Sequence, residues 1–362
     1  MSVATYRPPD PLVVETVDRL FGATCTFDAV EAADGDRWAG GVWEMLAGSA
    51  FPWVSIPEAS GGSGGSLADA AAIIRSAGAH AAPVPISETG ILGGWLLAGA
   101  GLPIPDGPTT VVPGSLAFVD GRVVGTAIVA WAEHARRIVG LVETPEGWVV
   151  AAARPDQVGI VPGANIAGEP RDTVTFEIAM SELESGPTPS GVDAEALVRR
   201  GSLSRIMLSA GALESMARLA VEYASTRRQF GKPIGSFQAV QHHLVIAGQC
   251  SVRASMAADL AVRASMASDP VRRAGSVGST GFDLAAARVI VDDAAVLATR
   301  AVHQAHGAMG VTREYPLHHL SRRLWAWRHE YRAVAHWRRD LGRAVVEAGA
   351  DNLFPLLTDS RV

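Results

Sequence analysis

The chain has 362 residues, of which 48% are hydrophobic and 19% are charged, and its formal net charge is −6. This composition excludes a disordered chain, and without a dominant basic patch it argues against a nucleic-acid partner. The two cysteines are too few for a disulfide framework. The first residues lack the apolar core of a signal peptide, and the longest uncharged apolar run, residues 90–104, is shorter than the about 20 residues that span a membrane. We therefore expect a soluble cytoplasmic protein with no membrane partner.

Residues 1–107 are predicted to form an N-terminal helical domain. The clearest helix, residues 67–82, is rich in alanine and follows Ser66, which has Asp69 at capping-box spacing. A glycine and serine tract, residues 60–65, comes before this helix. The tract could be a flexible linker, or a tight turn that lets the backbone approach a ligand.

After Pro108 the chain changes to short runs that are rich in β-branched residues. Asp120-Gly121 separates two of these runs, and Asp-Gly is a strong hairpin signal. Residues 172–178 alternate between polar and apolar side chains, as a half-buried strand does. Residues 108–182 are therefore predicted to form a small antiparallel β domain.

The last part of the chain returns to helical patterns. In the first of them apolar residues recur at steps of three and four, and its many alanines indicate close packing between helices. Long helices are predicted from residue 194 onward, over 237–267, over 281–305 with a cap at Gly307, and over 316–348. Residues 183–362 are therefore predicted to be a C-terminal four-helix bundle. The predicted fold class is α+β, mainly α.

One stretch, residues 223–238, combines arginine, phenylalanine and glycine between two predicted helices. Arg227 offers a planar fork of donors that matches pyrophosphate oxygens, and Phe230 offers an aromatic face for an adenine. The simpler interpretation is a solvated arginine pair with Phe230 in the core. The stretch resembles the most recognisable motif of the acyl-CoA dehydrogenase family. The resemblance implies that Arg227, Phe230 and Gln238 bind the adenosine diphosphate (ADP) half of FAD.

A second segment, residues 304–316, contains a glutamine, spaced glycines and a final Glu-Tyr-Pro. It resembles the family segment Q-x-x-G-G-x-G-x-x-x-E-Y-P, with Ala308 in place of the second glycine. The resemblance implies that Gln304, Gly307 and Ala308 meet the FAD diphosphate of a neighbouring subunit, where glycine lets backbone N–H groups approach phosphate. The alternative is an ordinary helix end followed by a turn. The same resemblance favours a structured turn at residues 60–65.

Helices, a β domain and a helical bundle, in this order, are the architecture of the family, so the resemblance covers essentially the whole chain. It implies FAD-dependent introduction of an α,β double bond into an acyl-CoA, for which a carboxylate base must reach the α carbon. The usual base position falls at Tyr331, so the neighbouring Glu330 is the candidate catalytic base. The alternative for Glu330 is a charged helix face. Arg205 matches an arginine near the family's active site, and its alternative is a surface charge.

Two segments that hold the isoalloxazine of FAD in the family have no counterpart here. The family patterns are T-E-x-x-x-G-S-D and W-I-T-N, whereas this chain has Thr109-Thr-Val-Val-Pro-Gly-Ser-Leu-Ala and, at a related place, only Trp131. A chain that has the segments for the ADP half of FAD but lacks those for the isoalloxazine resembles the smaller subunit of heteromeric actinobacterial acyl-CoA dehydrogenases of the sterol-degrading type.

Three hypotheses follow. The chain could be a catalytic subunit with Glu330 as base, acting on a sterol side chain or another bulky acyl-CoA. It could be a non-catalytic subunit that lends Arg227, Phe230 and Gln304 to the FAD of a partner. It could also be a helical binding protein without flavin. The expected assembly is a homo- or hetero-oligomer, a dimer of dimers with a second acyl-CoA dehydrogenase-like chain, which also meets an electron acceptor.

The histidines are not predicted to bind a metal. His303 and His306 share one helix face, but no third ligand is visible in the sequence. His242-His243 and the pair His318-His319 are adjacent residues, whose rings should point to different sides. We expect structural roles for all of them.

Overall fold

The computed structural model describes residues 6–36, 38–267 and 278–358. Its N-terminal part is helical, as predicted. The helices are α1 (Pro11–Thr24), α2 (Phe27–Asp36), α3 (Gly40–Gly48), α4 (Leu67–Ala79) and α5 (Trp95–Gly99). α4 begins with the predicted capping box, in which Ser66 and Asp69 each accept a hydrogen bond from the other's backbone N–H.

The glycine and serine tract before α4 is a structured turn. Gly61 and Gly64 have φ angles of 88° and 71°, in the left-handed region that glycine adopts without steric cost. A Cβ atom on Gly62 would lie only 2.1 Å from the carbonyl oxygen of Ile56. The prediction of a tight turn instead of a linker is confirmed.

The central part of the chain forms a seven-stranded sheet. Its strands are β1 (Thr109–Val119), β2 (Arg122–Ala130), β3 (Arg137–Thr144), β4 (Gly147–Ala153), β5 (Gly159–Val161), β6 (Arg171–Ala179) and β7 (Glu184–Pro187). Their spatial order is β5-β6-β2-β1-β3-β4-β7. The β1–β2 turn has Asp120 and Gly121 at φ angles of 49° and 76°, as the Asp-Gly signal predicts.

All neighbouring strands in this sheet are antiparallel except β1 and β3, which pair in parallel. The parallel pair arises because β2 lies on the other side of β1, so that β3 returns to β1 in the same direction. β7 also continues the sheet beyond residue 182, where the sequence placed the end of the β domain.

The C-terminal part is again helical. Its elements are α6 (Ala194–Thr226), β8 (Arg228–Gln229), β9 (Lys232–Pro233), α7 (Gln238–Ala267), α8 (Gly278–His306), α9 (Leu317–Trp327), α10 (Val334–Ala348) and α11 (Leu353–Thr358). The helix predicted over residues 316–348 is in fact two helices. Between them Tyr331 and Arg332 have φ angles of 50° and 81°, which a right-handed helix does not contain.

One hydrophobic core runs through helices from both ends of the chain, and a second core lies within the sheet. α4 and α6 approach closely because Gly78 and Gly211 lack a Cβ atom, which would lie 2.1 and 1.9 Å from a carbonyl oxygen of the other helix. We propose 1–107, 108–182 and 183–362 as divisions of the architecture, with the sheet continuing through β7 into the third and one helical core shared by the first and the third. Among the described helices, none is both long enough and apolar enough to cross a membrane.

Candidate functional site

The two motif segments lie side by side in the structure. The end of α6, the β8–β9 hairpin and the end of α8 line a cavity of about 430 Å³. The predicted cofactor residues that line it are Arg227, Phe230, Gln304, Gly307 and Ala308. Gln238, the first residue of α7, is exposed nearby in the chain but is not part of the lining.

Backbone hydrogen bonds fix Arg227 at the end of α6. Its N–H donates to the Tyr223 carbonyl over 2.8 Å, and its carbonyl accepts the Ile234 N–H, also over 2.8 Å. Its side chain is exposed, and no carboxylate in the described residues forms an ion pair with it. A fixed backbone with an unpaired guanidinium suits the binding of an anion such as a diphosphate.

Phe230 lies at the tip of the hairpin. It is 90% exposed, and its φ angle of 51° is unusual for a bulky residue. Its ring meets the Phe237 ring edge-on, with centroids 6.0 Å apart. The interpretation of Phe230 as core filler is wrong, because the ring lies on the surface. An exposed aromatic face held in a strained backbone is a feature of ligand-binding positions.

The end of α8 forms the opposite wall of the cavity. Gly307 has a φ angle of 60°, which favours glycine. Ala308 has no positive φ angle and is exposed, so alanine causes no backbone strain there. Behind them, the His306 ring stacks on Tyr223 at 4.5 Å between centroids. His306 Nδ1 lies 2.8 Å from the Val302 carbonyl, consistent with a structural role for this histidine.

Arg205 is the centre of a buried ion cluster. It is 2% exposed, and its guanidinium donates to Glu88 Oε1 and to Glu330 Oε2, each over 2.5 Å. Arg171, at the start of β6, pairs with the other oxygen of Glu330 over 2.6 Å and with Glu169 over 3.1 Å. The alternative of a surface charge for Arg205 is therefore wrong. The cluster joins the segment before α5, α6, β6 and the break between α9 and α10.

Glu330 has both carboxylate oxygens occupied by arginines. Burial alone would raise its pKa, but the charges of Arg171 and Arg205 outweigh burial and lower the pKa from 4.5 to about 2. A carboxylate with so low a pKa is a weak proton acceptor. The role of Glu330 as catalytic base stays a prediction, and its contacts favour a structural role.

The tyrosine at the expected base position is also enclosed. Tyr331 lies 5.1 Å below the Arg205 guanidinium, and its ring fills the space left by Gly201, where a Cβ atom would lie 2.1 Å from the ring. Burial raises the pKa of Tyr331. A side chain in this state is not available for acid–base chemistry near neutral pH.

Trp131, which stands at a place related to the missing W-I-T-N segment, does not present an open face. It is 3% exposed, and the Trp38 ring packs against it at 6.2 Å between centroids. Trp38 also stacks on His134 at 4.9 Å. The residues of the α6–α8 cavity therefore fit the ADP half of FAD. Trp131, directly after β2, does not fit the role of an isoalloxazine support.

Comparison with known proteins adds to these observations. Residues 195–328 match the family model of the acyl-CoA dehydrogenase C-terminal domain. Acyl-CoA dehydrogenase FadE28 of Mycobacterium tuberculosis is 28% identical over 306 residues, which are 76% of this chain and 84% of that protein. Residues 195–328 therefore match an acyl-CoA dehydrogenase C-terminal domain, and the chain is similar to acyl-CoA dehydrogenases over most of its length.

Solved structures confirm the acyl-CoA dehydrogenase fold. The crystal structure of the ChsE4–ChsE5 complex from Mycobacterium tuberculosis has a TM-score of 0.78 at 22% identity, covering 97% of this chain and 100% of that chain. A variant of the steroid ACAD Tcur3481–Tcur3483 has a TM-score of 0.78 at 18% identity, covering 93% and 97%. The predicted α+β, mainly α, fold class is confirmed.

One side-chain cluster of this chain has an arrangement that the sequence did not predict. The rings of His318 and His319 lie together, with centroids 4.0 Å apart, and not on different sides. Both face Glu31 from α2. Burial, followed by the charge of nearby cations, lowers the pKa of His319 to about 3. No linear pattern connects Glu31 to this pair, because the partners come from opposite ends of the chain.

Proposed function

We propose that this chain is a subunit of an FAD-dependent acyl-CoA dehydrogenase and binds the ADP half of an FAD shared with a second, related chain. The observation that carries the proposal is that Arg227, Phe230 and Gln304 line the same open cavity. Trp131, by contrast, is closed off by this chain's own aromatic rings. The second chain would supply the support for the isoalloxazine.

Each cavity residue has a chemical task in this proposal. Arg227 would neutralise and orient the diphosphate through charge-assisted hydrogen bonds. Phe230 would cover the adenine, and the Gln304 amide would donate to an oxygen of the diphosphate. Gly307 leaves the backbone open to close approach. FAD, when bound, supplies the hydride acceptor for α,β-dehydrogenation of an acyl-CoA.

We propose that the catalytic base belongs to the partner. Arg171 and Arg205 occupy both oxygens of Glu330, so that moving this carboxylate to a substrate would take from each buried guanidinium one of its two carboxylate partners. The likeness to a steroid ACAD supports a bulky, ring-bearing acyl-CoA as the substrate of the assembled enzyme.

An exposed apolar face on α7 supports a partner chain. Val245, Val252 and Met256 are 57%, 60% and 68% exposed, and steps of seven and four place them on one face of the helix. We propose that this face contacts a second acyl-CoA dehydrogenase-like chain in a dimer of dimers, and that the complex passes electrons to a separate acceptor. The likeness to the ChsE4–ChsE5 complex supports a heteromer.

The test is the visible spectrum of the purified chain, alone and after co-expression with an acyl-CoA dehydrogenase-like chain from a neighbouring gene. The proposal predicts a colourless chain alone and a yellow complex with about one FAD for two chains. Flavin bound by this chain alone, at one FAD for each chain, would make it an ordinary catalytic homomer. A colourless complex would show that this chain does not take part in flavin binding.

A further inference from the structure

Two helices from opposite ends of the chain, α2 and α9, bring Glu31, His318 and His319 together. One ligand atom from each lies within 4.8 Å of the others. We propose that these three side chains bind one divalent transition-metal ion, with Zn²⁺ the best match to the donor set. Two imidazoles and one carboxylate are ligands that zinc takes in proteins, with a fourth position open to water.

The distances between the donor atoms suit a tetrahedral ion. His319 Nε2 lies 3.4 Å from Glu31 Oε2, and His318 Nε2 lies 3.8 Å from the same oxygen. Ligands that bind zinc at about 2.0–2.2 Å in tetrahedral geometry are separated from one another by about 3.3–3.6 Å. Small side-chain rotations therefore bring the three atoms to coordination distance.

A second, independent observation is that two of the three donor atoms, on Glu31 and His319, lack hydrogen-bond partners. His319 is 3% exposed, and in the described structure neither of its ring nitrogens has a hydrogen-bond partner. Glu31 Oε2 is also buried without one. Buried polar atoms without partners are rare in native proteins, and each calls for an explanation. A metal ion at this position would satisfy Glu31 Oε2 and His319 Nε2 at once.

The surroundings resemble the outer shell of a metal site. Asp34 Oδ2 lies 3.8 Å from the other nitrogen of His319, Nδ1. This distance is longer than a hydrogen bond. A small rotation of either side chain would let the carboxylate accept from Nδ1, as the carboxylates that orient metal-binding imidazoles do. The Phe27 ring packs against both imidazoles, with centroids 5.4 and 6.3 Å away, and forms an apolar wall.

Arg313 opposes the binding of a cation. Its carbonyl lies 3.1 Å from His318 Nε2, and this hydrogen bond is lost when the nitrogen becomes a ligand. Its guanidinium pairs with the other oxygen of Glu31, Oε1. The Arg313 side chain is 77% exposed, so it can move into solvent without unpacking the protein. Removing its charge should therefore strengthen metal binding.

Bound metal would link the N-terminal helices to the C-terminal bundle through α2 and α9. α9 follows the segment over residues 304–316, which forms one wall of the proposed FAD cavity. The metal site nevertheless uses none of the cavity residues, so the metal and the flavin can be tested separately.

The experiment titrates the EDTA-treated full chain with ZnCl₂ by calorimetry and counts the zinc retained after dialysis. We expect one zinc for each chain, and visible d–d absorption when CoCl₂ replaces zinc. Glu31→Gln and His318→Ala should each weaken zinc binding at least tenfold, and Arg313→Gln should strengthen it. The matched control is His242→Ala, which alters the adjacent histidine pair on α7 and should leave the affinity unchanged.

Circular dichroism verifies that each variant is folded. Glu31→Gln preserves side-chain size, so it tests the proposal even if a histidine variant unfolds. The absence of saturable zinc binding to the wild-type chain overturns the proposal. Equal zinc affinity in the wild type and Glu31→Gln overturns the proposal as well. So does a result in which His242→Ala is the only variant that loses zinc binding.

Discussion

The cavity at the ends of α6 and α8 and the ion cluster around Arg205 both contain arginine, but they satisfy its charge differently. Arg227 is exposed, and no carboxylate in the described part of the chain pairs with it. Arg205 is 2% exposed and is held by Glu88 and Glu330. An exposed, unpaired guanidinium gains contacts when an anion binds, whereas a buried, paired one can only lose them. Pairing and burial therefore indicate a structural role for Arg205, whereas the absence of both leaves Arg227 available for the anion that we propose it binds.

The largest expected effect lies in the buried cluster. Arg205→Ala leaves Glu88 buried without its cation and leaves Glu330 with Arg171 alone. Removing one partner of a buried ion pair costs about 3–5 kcal/mol of unfolding free energy. Urea unfolding followed by circular dichroism measures this loss. The control, Arg218→Ala, removes an exposed arginine of the same helix that pairs with Glu222, and should cost about 0.2–1 kcal/mol. Equal losses of unfolding free energy in the two variants would show that the buried ion pairs of Arg205 stabilise the protein no more than an exposed pair does.

The second effect is the dependence of stability on pH. The folded-state pKa of Glu330 is lowered from 4.5 to about 2, so its stabilising contribution is complete above the unfolded pKa and is lost as the pH falls through the folded pKa. A shift of this size corresponds to about 3 kcal/mol. Between pH 5 and about pH 2, the wild type should therefore lose more unfolding free energy than Glu330→Gln. Parallel curves for the two proteins would contradict the low pKa.

The third prediction concerns the open cavity. Arg227→Ala in the co-expressed complex removes a charge-assisted contact to the diphosphate, which is worth about 1.5–3 kcal/mol of binding free energy. Flavin absorbance per protein should fall, while the unfolding midpoint of the flavin-free chain stays unchanged. Arg218→Ala is again the control. Full flavin occupancy in Arg227→Ala would show that this arginine does not contribute to flavin binding.

The smallest effect separates the strain at Phe230 from its role in binding. Phe230→Gly and Phe230→Ala both remove the ring and should lower flavin affinity equally. Only glycine accepts the φ angle of 51° without strain, and this conformation costs other residues roughly 1–2 kcal/mol. Phe230→Gly should therefore be more stable than Phe230→Ala by about 1 kcal/mol. Flavin affinity retained in both variants would mean that the ring does not contact the cofactor.

Local signals in the sequence predicted the features that depend on local structure. The capping box at Ser66 and Asp69 and the Asp120-Gly121 turn form as predicted. α7, predicted over 237–267, differs from the observed helix by one residue at its start. The cavity residues could also be found from two short segments, because each segment keeps its own motif.

Long-range packing decided the features that the sequence did not predict. The ion cluster of Glu88, Arg171, Arg205 and Glu330 forms only because four distant segments converge. The break between α9 and α10 contains Tyr331 in a left-handed conformation, which no local signal requires. That tyrosine ring instead fills space on α6, a contact that only the folded chain creates.

We propose that Glu330 is a structural anion and that the catalytic base lies on the partner chain. The most direct measurement is the rate at which an acyl-CoA substrate bleaches the flavin of the co-expressed complex without oxygen, at neutral pH. We expect Glu330→Gln in this chain to leave the bleaching rate per bound flavin within about threefold of the wild-type rate, because in this proposal no proton passes through the Glu330 carboxylate. A rate lower by a factor of about 10²–10⁴ is the usual effect of removing a general base. That result would contradict the proposal and show that this chain supplies the catalytic base.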